Sequence, residues 1–456
     1  MTPVTRPNIV FFFTDQQRWD SMGLHGNPLG LTPNLDRLAR SGTHLARHFT
    51  CQPVCGPARS CLQSGRYATS TGCVTNTIPL PPSPDNLAEC FRRAGYQTGY
   101  IGKWHLGPDD AGPGAVAEKF RGGYDYWLAA NALEFTSDAY RTRLWDKDGQ
   151  PVDLPGYRVD ALTDAAIRYV DSHRDAPFFL FLSYLESHHQ NHRDNYPAPD
   201  GYEEHYAGRW TPPDLAALGG SSAAHLGGYW GMIKRLDEAL GRLLDALRSR
   251  GMLDNTIVVF TSDRGCHFKT RNAEYKRSCH EASIRVPGVI AGPGFDGGGQ
   301  LRALTSLIDL PPTLLETAGI PVPESYQGRS LLPLVQRRSA SWPEEVFVQI
   351  SESQCGRAVR TGRWKYAVQA PVEAGVAWDT RAWHPQMEEA FLYDLESDPH
   401  ELVNLVESKA HEPVRVRMRE RLRKRMAGAG EAIPEILPAP SKPFGQRVVL
   451  PEEVDL

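Results

Sequence analysis

The chain of 456 residues has little that would carry it into a membrane. Its first apolar run, Asn8-Ile-Val-Phe-Phe-Phe-Thr14, is too short for a signal-peptide core or a membrane span. Met1 to Pro7 offers no apolar stretch and no cleavage site, which sets the expectation of a cytoplasmic protein. An excess of charge is also missing. Fifty Lys and Arg stand against 54 Asp and Glu, for a net charge of -4. That balance excludes the basic stripe of a nucleic-acid binder and the polybasic patch of a membrane anchor. Cysteine is sparse: eight residues, at 51, 55, 61, 73, 90, 266, 279 and 355. So few in so long a chain exclude a disulfide scaffold, and the lack of any CxxC pair excludes a zinc ribbon. No internal repeat and no low-complexity segment is present.

What is present is an alternation of short apolar strands and amphipathic helices. Val10 to Thr14, Thr98 to Ile101, Phe178 to Tyr184 and Ile257 to Ser262 read as buried strands. Helices are predicted from Pro33 to Gly42, over Asn86–Ala94 and Ala161–Ser172, from about Ala224 to Arg250, and over Asp309–Ala318. Thr32, Pro33 and Gly42 supply the cap, first position and stop of the first of these. This rhythm predicts an α/β fold: a large, mostly parallel or mixed sheet sandwiched by helices, filling residues 1–335. Short strands after residue 345 and a basic helix at 415–425 predict a smaller C-terminal α+β domain over 336–456, with an extended tail from Ile433. In such sheets the site lies beyond the carboxyl ends of the strands. Three strand ends carry polar clusters: Asp15-Gln16-Gln17, His188-His189-Gln190 and Asp263-Arg264.

One segment stands apart, Cys51-Gln-Pro-Val-Cys55-Gly-Pro57-Ala-Arg59. Pro57 suits a first helical turn, which places Cys55 at a helix N-terminus where free N–H groups and the dipole favour an anion. Arg59, one turn on, can hold an anion beside Cys55. A buried structural cysteine accounts for the residue equally well, and a Cys51–Cys55 redox or metal pair lacks further ligands.

Cys55-Gly-Pro57-Ala-Arg59 matches the C-x-P-x-R signature of the type I, formylglycine-dependent sulfatases of the alkaline phosphatase-like superfamily. Gly95-Tyr96 through Gly102-Lys103-Trp-His105-Leu-Gly107 resembles that family's second signature. The opening Pro7 to Asp15, Thr32-Pro33-Asn34-Leu-Asp36, Lys276 to Pro287, Asp309 to Thr313, and the stretches 358–366 and 392–405 resemble the family in order along nearly the whole chain.

The resemblance implies a sulfuric ester hydrolase acting on a carbohydrate or aryl sulfate. Cys55 would be oxidised to formylglycine by a separate formylglycine-generating enzyme. One hydroxyl of the hydrated aldehyde would attack sulfur; the other would then expel sulfate, dividing the reaction into two easier steps. Arg59 and Lys103 would bind the hydrate and a sulfate oxygen. His105 would act as base, His188 as general acid and Lys276 as its helper at the leaving group. His189 and Asn191, with Tyr196 and Trp210 as further candidates, would face the organic part of the substrate. Asp15, Gln16, Asp263 and the position-55 side chain would ligate one divalent cation, with Ca²⁺ expected and Mg²⁺ or Mn²⁺ able to replace it.

The departure is Arg264, where the family usually has a ligating Asn or His. Guanidinium has no lone pair to give a metal. Three outcomes stand open: a lost ligand, an outward-turned side chain, or a charge that partly replaces the metal. His267 is near enough in sequence to compensate. Two other readings use the same residues: a phosphonate monoester or phosphodiester hydrolase, and a non-catalytic binder of sulfated ligands.

Overall fold

The structure is a computed structural model that describes residues 6–173, 176–337, 341–371 and 379–440. An eleven-stranded sheet runs through its centre. In spatial order its strands are Gly299–Ser306, Thr43–Phe49, Gly288–Ala291, Thr256–Ser262, Asn8–Thr14, Phe178–Ser183, Gln97–Lys103, Tyr126–Ala130, Arg141–Asp146 and Ser137–Asp138, with Pro151–Pro155 hanging on Arg141–Asp146. The five strands from Thr256–Ser262 to Tyr126–Ala130 are mutually parallel. Thr43–Phe49 runs the same way, because Gly288–Ala291 between it and Thr256–Ser262 is antiparallel to both. Gly299–Ser306 pairs parallel with Thr43–Phe49, so seven carboxyl ends open on one edge.

Period-two alternation in these strands sorts their side chains into two cores. Ile9, Phe11, Phe13, Phe179, Phe181, Ile257 and Val259 enter one cluster; Val10, Phe12, Phe178, Leu180, Leu182, Val258 and Phe260 enter the other. Neither face of the sheet centre meets water, which is why its strands read as continuous apolar runs. Phe11 stacks on Phe181 at 4.6 Å, and Tyr100 on Phe181 at 5.2 Å. The 28-residue helix Ser222–Ser249 covers the second face with Leu236, Leu240, Leu243 and Leu247. Gly102 adopts φ +109°, and a Cβ there would lie 1.9 Å from the Ser183 carbonyl oxygen. Only glycine admits this close strand approach, which fixes the backbone carrying Lys103.

A second, five-stranded sheet takes its strands from Glu345 onward: Glu345–Ile350, Gly356–Thr361, Trp364–Gln369 and Gln386–Asp394 pair antiparallel, and Glu435–Leu437 adds a parallel edge. The predicted basic helix spans Glu412–Gly428. With it, Phe347, Val359, Tyr366, Leu392 and Leu422 pack against Cys51, Cys61, Tyr67 and Val74, on the back of the Cys55–Ser64 helix. The expected tail is a strand at 435–437; its part from residue 441 lies outside the described residues. Among the described residues no helix is long and apolar enough to cross a membrane.

Candidate active site

Cys55 is the first residue of the helix Cys55–Ser64 and is almost wholly buried. The N–H of Ala58 closes the first turn on the Val54 carbonyl, and the N–H of Gly56 donates to Asn76 Oδ1 at 2.8 Å. Position 55 is an unmodified cysteine here; its Sγ stands where an oxygen of the expected formylglycine hydrate would lie. Arg264 Nη2 reaches it at 2.8 Å and Lys276 Nζ at 3.3 Å. Burial pushes the Cys55 thiol up, but Arg264, Lys276 and Lys103 outweigh it and hold it well below its ordinary range. The pocket is built to carry an anion at this atom.

Asp15, at the end of the Asn8–Thr14 strand, is the hub. Its Oδ2 accepts from Lys103 Nζ at 2.9 Å and Arg59 Nη2 at 3.1 Å, and its Oδ1 from Arg264 Nη2 at 2.7 Å. Burial and Cys55 push the Asp15 carboxyl up; Lys103 and Arg264 prevail and keep it ionised, below the usual carboxylate range. Lys103 has a second partner, Glu134 Oε1 at 2.9 Å. Arg59 also donates through Nη1 to the Lys103 carbonyl at 2.9 Å and to Ser183 Oγ at 2.7 Å, and lies 5.1 Å over the Phe13 ring. Neighbouring strand ends are thus stapled together by the same groups that line the pocket.

On the opposite side, Lys276 Nζ lies 3.2 Å from His188 Nε2, and His188 Nδ1 lies 2.6 Å from the His189 carbonyl oxygen. A carbonyl accepts only, so His188 Nδ1 carries the proton; Nε2 then accepts from the Lys276 ammonium. His188 is the neutral member, and burial with Lys276 pushes it down to about 4. His105 is half-buried with a positive φ of 58°, its N–H donating to the Asn131 carbonyl at 2.6 Å. Cys55, His105, Glu134, His188, Asn191 and Lys276 line one cleft of about 410 Å³.

The four residues expected to ligate a metal do converge, but they converge on Arg264. Its Nη2 contacts Asp15 Oδ1 and Cys55 Sγ, its Nη1 donates to Gln16 Oε1 at 3.1 Å, and its Nε lies 3.9 Å from Asp263 Oδ2. Asp263 Oδ1 accepts the N–H of Gln16 at 3.0 Å, while Oδ2 has no hydrogen-bond partner. Burial pushes Asp263 up to about 7 although Arg264 opposes it. Asp15, Cys55 and His188 offer donor atoms within 4.8 Å of one another, a set that could hold a metal ion. With Arg264 inside, the set does not fit a divalent cation: its Asp15 and Cys55 donors already serve the guanidinium, and His188 Nε2 serves Lys276. The outward-turned Arg264 is excluded, since the side chain is wholly buried. His267 does not compensate; its Nε2 is 2.9 Å from the Lys276 carbonyl oxygen and pins that loop.

The other expectations divide. His189 is half-buried and stacks on His188 at 4.3 Å; Asn191 is exposed at the cleft. Tyr196 and Trp210 are corrected to structural roles. Buried Tyr196 accepts from Gln16 Nε2 at 2.9 Å, which orients that amide, and the Trp210 carbonyl accepts from Trp230 Nε1 at 3.3 Å. His188 and Lys276, expected as general acid and helper, do lie together at the leaving-group side of position 55, with Lys276 Nζ 3.2 Å from His188 Nε2. Two contributors were missed: Glu134, which holds Lys103, and Asn76, which accepts from the nucleophile helix. Nothing local in sequence ties either to Cys55; only the spatial adjacency of the strand ends does.

The fold and these residues have relatives. Residues 7–320 match the Sulfatase family, and residues 274–428 match N-sulphoglucosamine sulphohydrolase, C-terminal. An ulvan-active sulfatase of Formosa agariphila is 30% identical, covering 94% of this chain and 82% of its own. The solved structure of yidJ from Bacteroides fragilis superposes with a TM-score of 0.81 at 24% identity, covering 94% of this chain and 97% of that one. BT4656, solved with its substrate D-glucosamine-2-N,6-O-disulfate, gives 0.74 at 23% identity over 93% and 98% of the two chains. Family members generally use a metal ion and formylglycine. A nucleophile-position cysteine on a helix N-terminus, caged by cations at the carboxyl edge of this sheet, completes the match: the chain belongs to the sulfatase family and is a sulfuric ester hydrolase.

Proposed function

We propose that this enzyme hydrolyses a sulfate monoester of a saccharide, with formylglycine at position 55 as nucleophile after conversion of Cys55 by a formylglycine-generating enzyme. The observation that carries the reading is the placement of Cys55 Sγ between Arg264 and Lys276, with the Lys276–His188 pair beside it in the wall of one cleft. Bound sulfated sugar in a structural relative and an ulvan-active relative support a saccharide. So does the polar rim of the cleft, where the exposed Asn191 amide can match a hydroxyl group.

When present, formylglycine supplies an attacking hydroxyl and a second hydroxyl that lets sulfate leave without another attack at sulfur. The chain's own residues do the rest. Arg59, Lys103 and Arg264 keep Asp15 ionised and surround the position where negative charge develops, in a site that needs no reorganisation. The attacking hydroxyl gives its proton to solvent before attack, because Arg264 and Lys276 hold position 55 as an anion; Lys276 donates its proton to the leaving alcohol oxygen as the S–O bond breaks, and His188 holds the ammonium in place. His105, beside position 55 in the cleft, accepts the proton of the second hydroxyl.

Three carboxylates, Asp15, Glu134 and Asp263, face four cations, Arg59, Lys103, Arg264 and Lys276. The remaining positive charge suits the single negative charge of a sulfate monoester. Protein co-produced with the maturing enzyme is to be assayed on glucosamine 6-sulfate, nitrophenyl sulfate, a phenylphosphonate monoester and a phosphodiester. Sulfate esters turning over fastest is the expected result; phosphonate or phosphodiester turnover far above both sulfates overturns the reading.

A further inference from the structure

We propose that Arg264 is the resident cation of this active site: its guanidinium holds the oxygens and the position-55 side chain that a divalent ion would hold, and turnover needs no bound metal. The proposal rests on the reading of the chain as a formylglycine sulfatase.

The geometry is a fork seated in a metal-shaped cradle. Nη2 is shared between Asp15 Oδ1 at 2.7 Å and Cys55 Sγ at 2.8 Å, and Nη1 takes Gln16 Oε1 at 3.1 Å. Nε lies 3.9 Å from Asp263 Oδ2, an ion-pair distance, and neither atom makes a hydrogen bond. A calcium ion would need oxygens at about 2.3–2.6 Å. An ion that close to both Asp15 Oδ1 and a position-55 oxygen would overlap Nη2, so guanidinium and ion exclude each other. Withdrawal of the guanidinium is blocked, because its side chain is wholly buried and cannot shed its charge.

Charge tells the same way. A divalent ion would join four cations, Arg264, Lys276, Lys103 and Arg59, that three carboxylates already leave in excess, and Gln16 brings no further negative charge to the set. The amide is itself committed. Its Nε2 is taken by Tyr196 and Cys266, which turns Oε1 toward Arg264. A guanidinium does part of what a metal ion does: it fixes the attacking group by hydrogen bonds and stabilises its developing negative charge. It does so with one charge rather than two, which suits a monoanionic sulfate ester over a dianionic phosphate monoester.

The test uses full-length protein whose formylglycine is confirmed by mass spectrometry. Metal content is read by plasma mass spectrometry, and turnover of nitrophenyl sulfate is read before and after EDTA. Substoichiometric metal and unchanged turnover are expected; a stoichiometric ion whose removal abolishes turnover overturns the proposal. In parallel, Arg264→His and Arg264→Asn provide a ligand in place of the fork. Both should lose about 10²–10³ in turnover without added ion. Both should gain a Ca²⁺-dependent rise in Tm that the parent lacks. A Ca²⁺-dependent Tm rise in the parent, or full turnover of folded Arg264→His in EDTA, overturns it equally. The Tm arm needs no turnover and still decides the cation if the parent proves inert toward sulfate esters, an outcome that counts against the proposed function alone.

Discussion

Replacing Lys276 by alanine removes two contacts whose effects on turnover can be separated. One is the 3.3 Å approach to the position-55 atom; the other is the 3.2 Å hydrogen bond to His188 that aims the ammonium at the leaving group. A hydrogen bond from a charged donor contributes about 1.5–3 kcal/mol, so loss of the first slows every substrate by about 10- to 100-fold. General acid catalysis contributes a further factor of about 10²–10⁴. That second factor applies only where the departing oxygen needs a proton. Nitrophenolate leaves without one, whereas a sugar alkoxide does not. Lys276→Ala should therefore slow nitrophenyl sulfate by about 10- to 100-fold and a sugar 6-sulfate by at least about 10² more. The assay is kcat/KM on both esters at one pH, with Tm measured alongside. Stability should hold, because Lys276 makes no ion pair with a carboxylate among the described residues, and Arg264 and burial already disfavour its charge. Equal losses on the two esters would refute Lys276 as the acid and return that role to His188.

Other outcomes follow from the same contacts. Mass spectrometry of the tryptic peptide His48–Arg59 should show formylglycine at position 55 when the maturing enzyme is present, and Cys55→Ala should be inactive with an unchanged Tm. An active Cys55→Ala variant would end the mechanism. Glu134 has its carboxyl lowered from 4.5 to about 2: burial pushes it up, but Lys103 and His105 outweigh this. A depressed carboxyl stabilises the fold above its unfolded value and ceases to do so as pH falls through its folded one. The parent should thus be more stable than Glu134→Gln by about 3 kcal/mol at pH 7, with the gap closing between about pH 4.5 and pH 2 in urea titrations. Lys365 Nζ bridges Glu401 Oε1 at 2.6 Å and Glu281 Oε1 at 3.0 Å, tying the loop that follows Lys276 to the second sheet. Lys365→Met should cost about 3–5 kcal/mol by leaving buried carboxylates without their ammonium; a loss under about 1 kcal/mol, the level of a surface pair, would contradict it.

How much of this was legible in the sequence follows from the range of each signal. The central strands were legible because both faces of the sheet are buried and Phe, Val and Ile fill them without a break. Thr43–Phe49 was not, because its Thr43, His44, Arg47 and His48 spend their polarity on neighbours such as Phe295 and Thr305, and the run loses its apolar look. The antiparallel excursion through Arg141–Asp146 and Pro151–Pro155 is half-exposed and carries no core pattern. Among site residues, those at strand ends and in the Cys55 segment were legible from local motifs. Glu134 was not: it belongs to a short helix after a neighbouring strand and meets Lys103 only because those strands pair in register from Gly99–Tyr126 to Lys103–Ala130. Arg264 shows the limit most sharply. Its type argued against a metal ligand, but sequence left its direction open. What settles the direction is mutual need. Asp15 Oδ1 and Gln16 Oε1 are buried acceptors, and an acceptor buried without a donor costs about 1–3 kcal/mol, more when it is charged. Sequestering Arg264 away from them would strand both sides at once, so the residue that breaks the family pattern is also the one that the rest of the pocket requires to point inward.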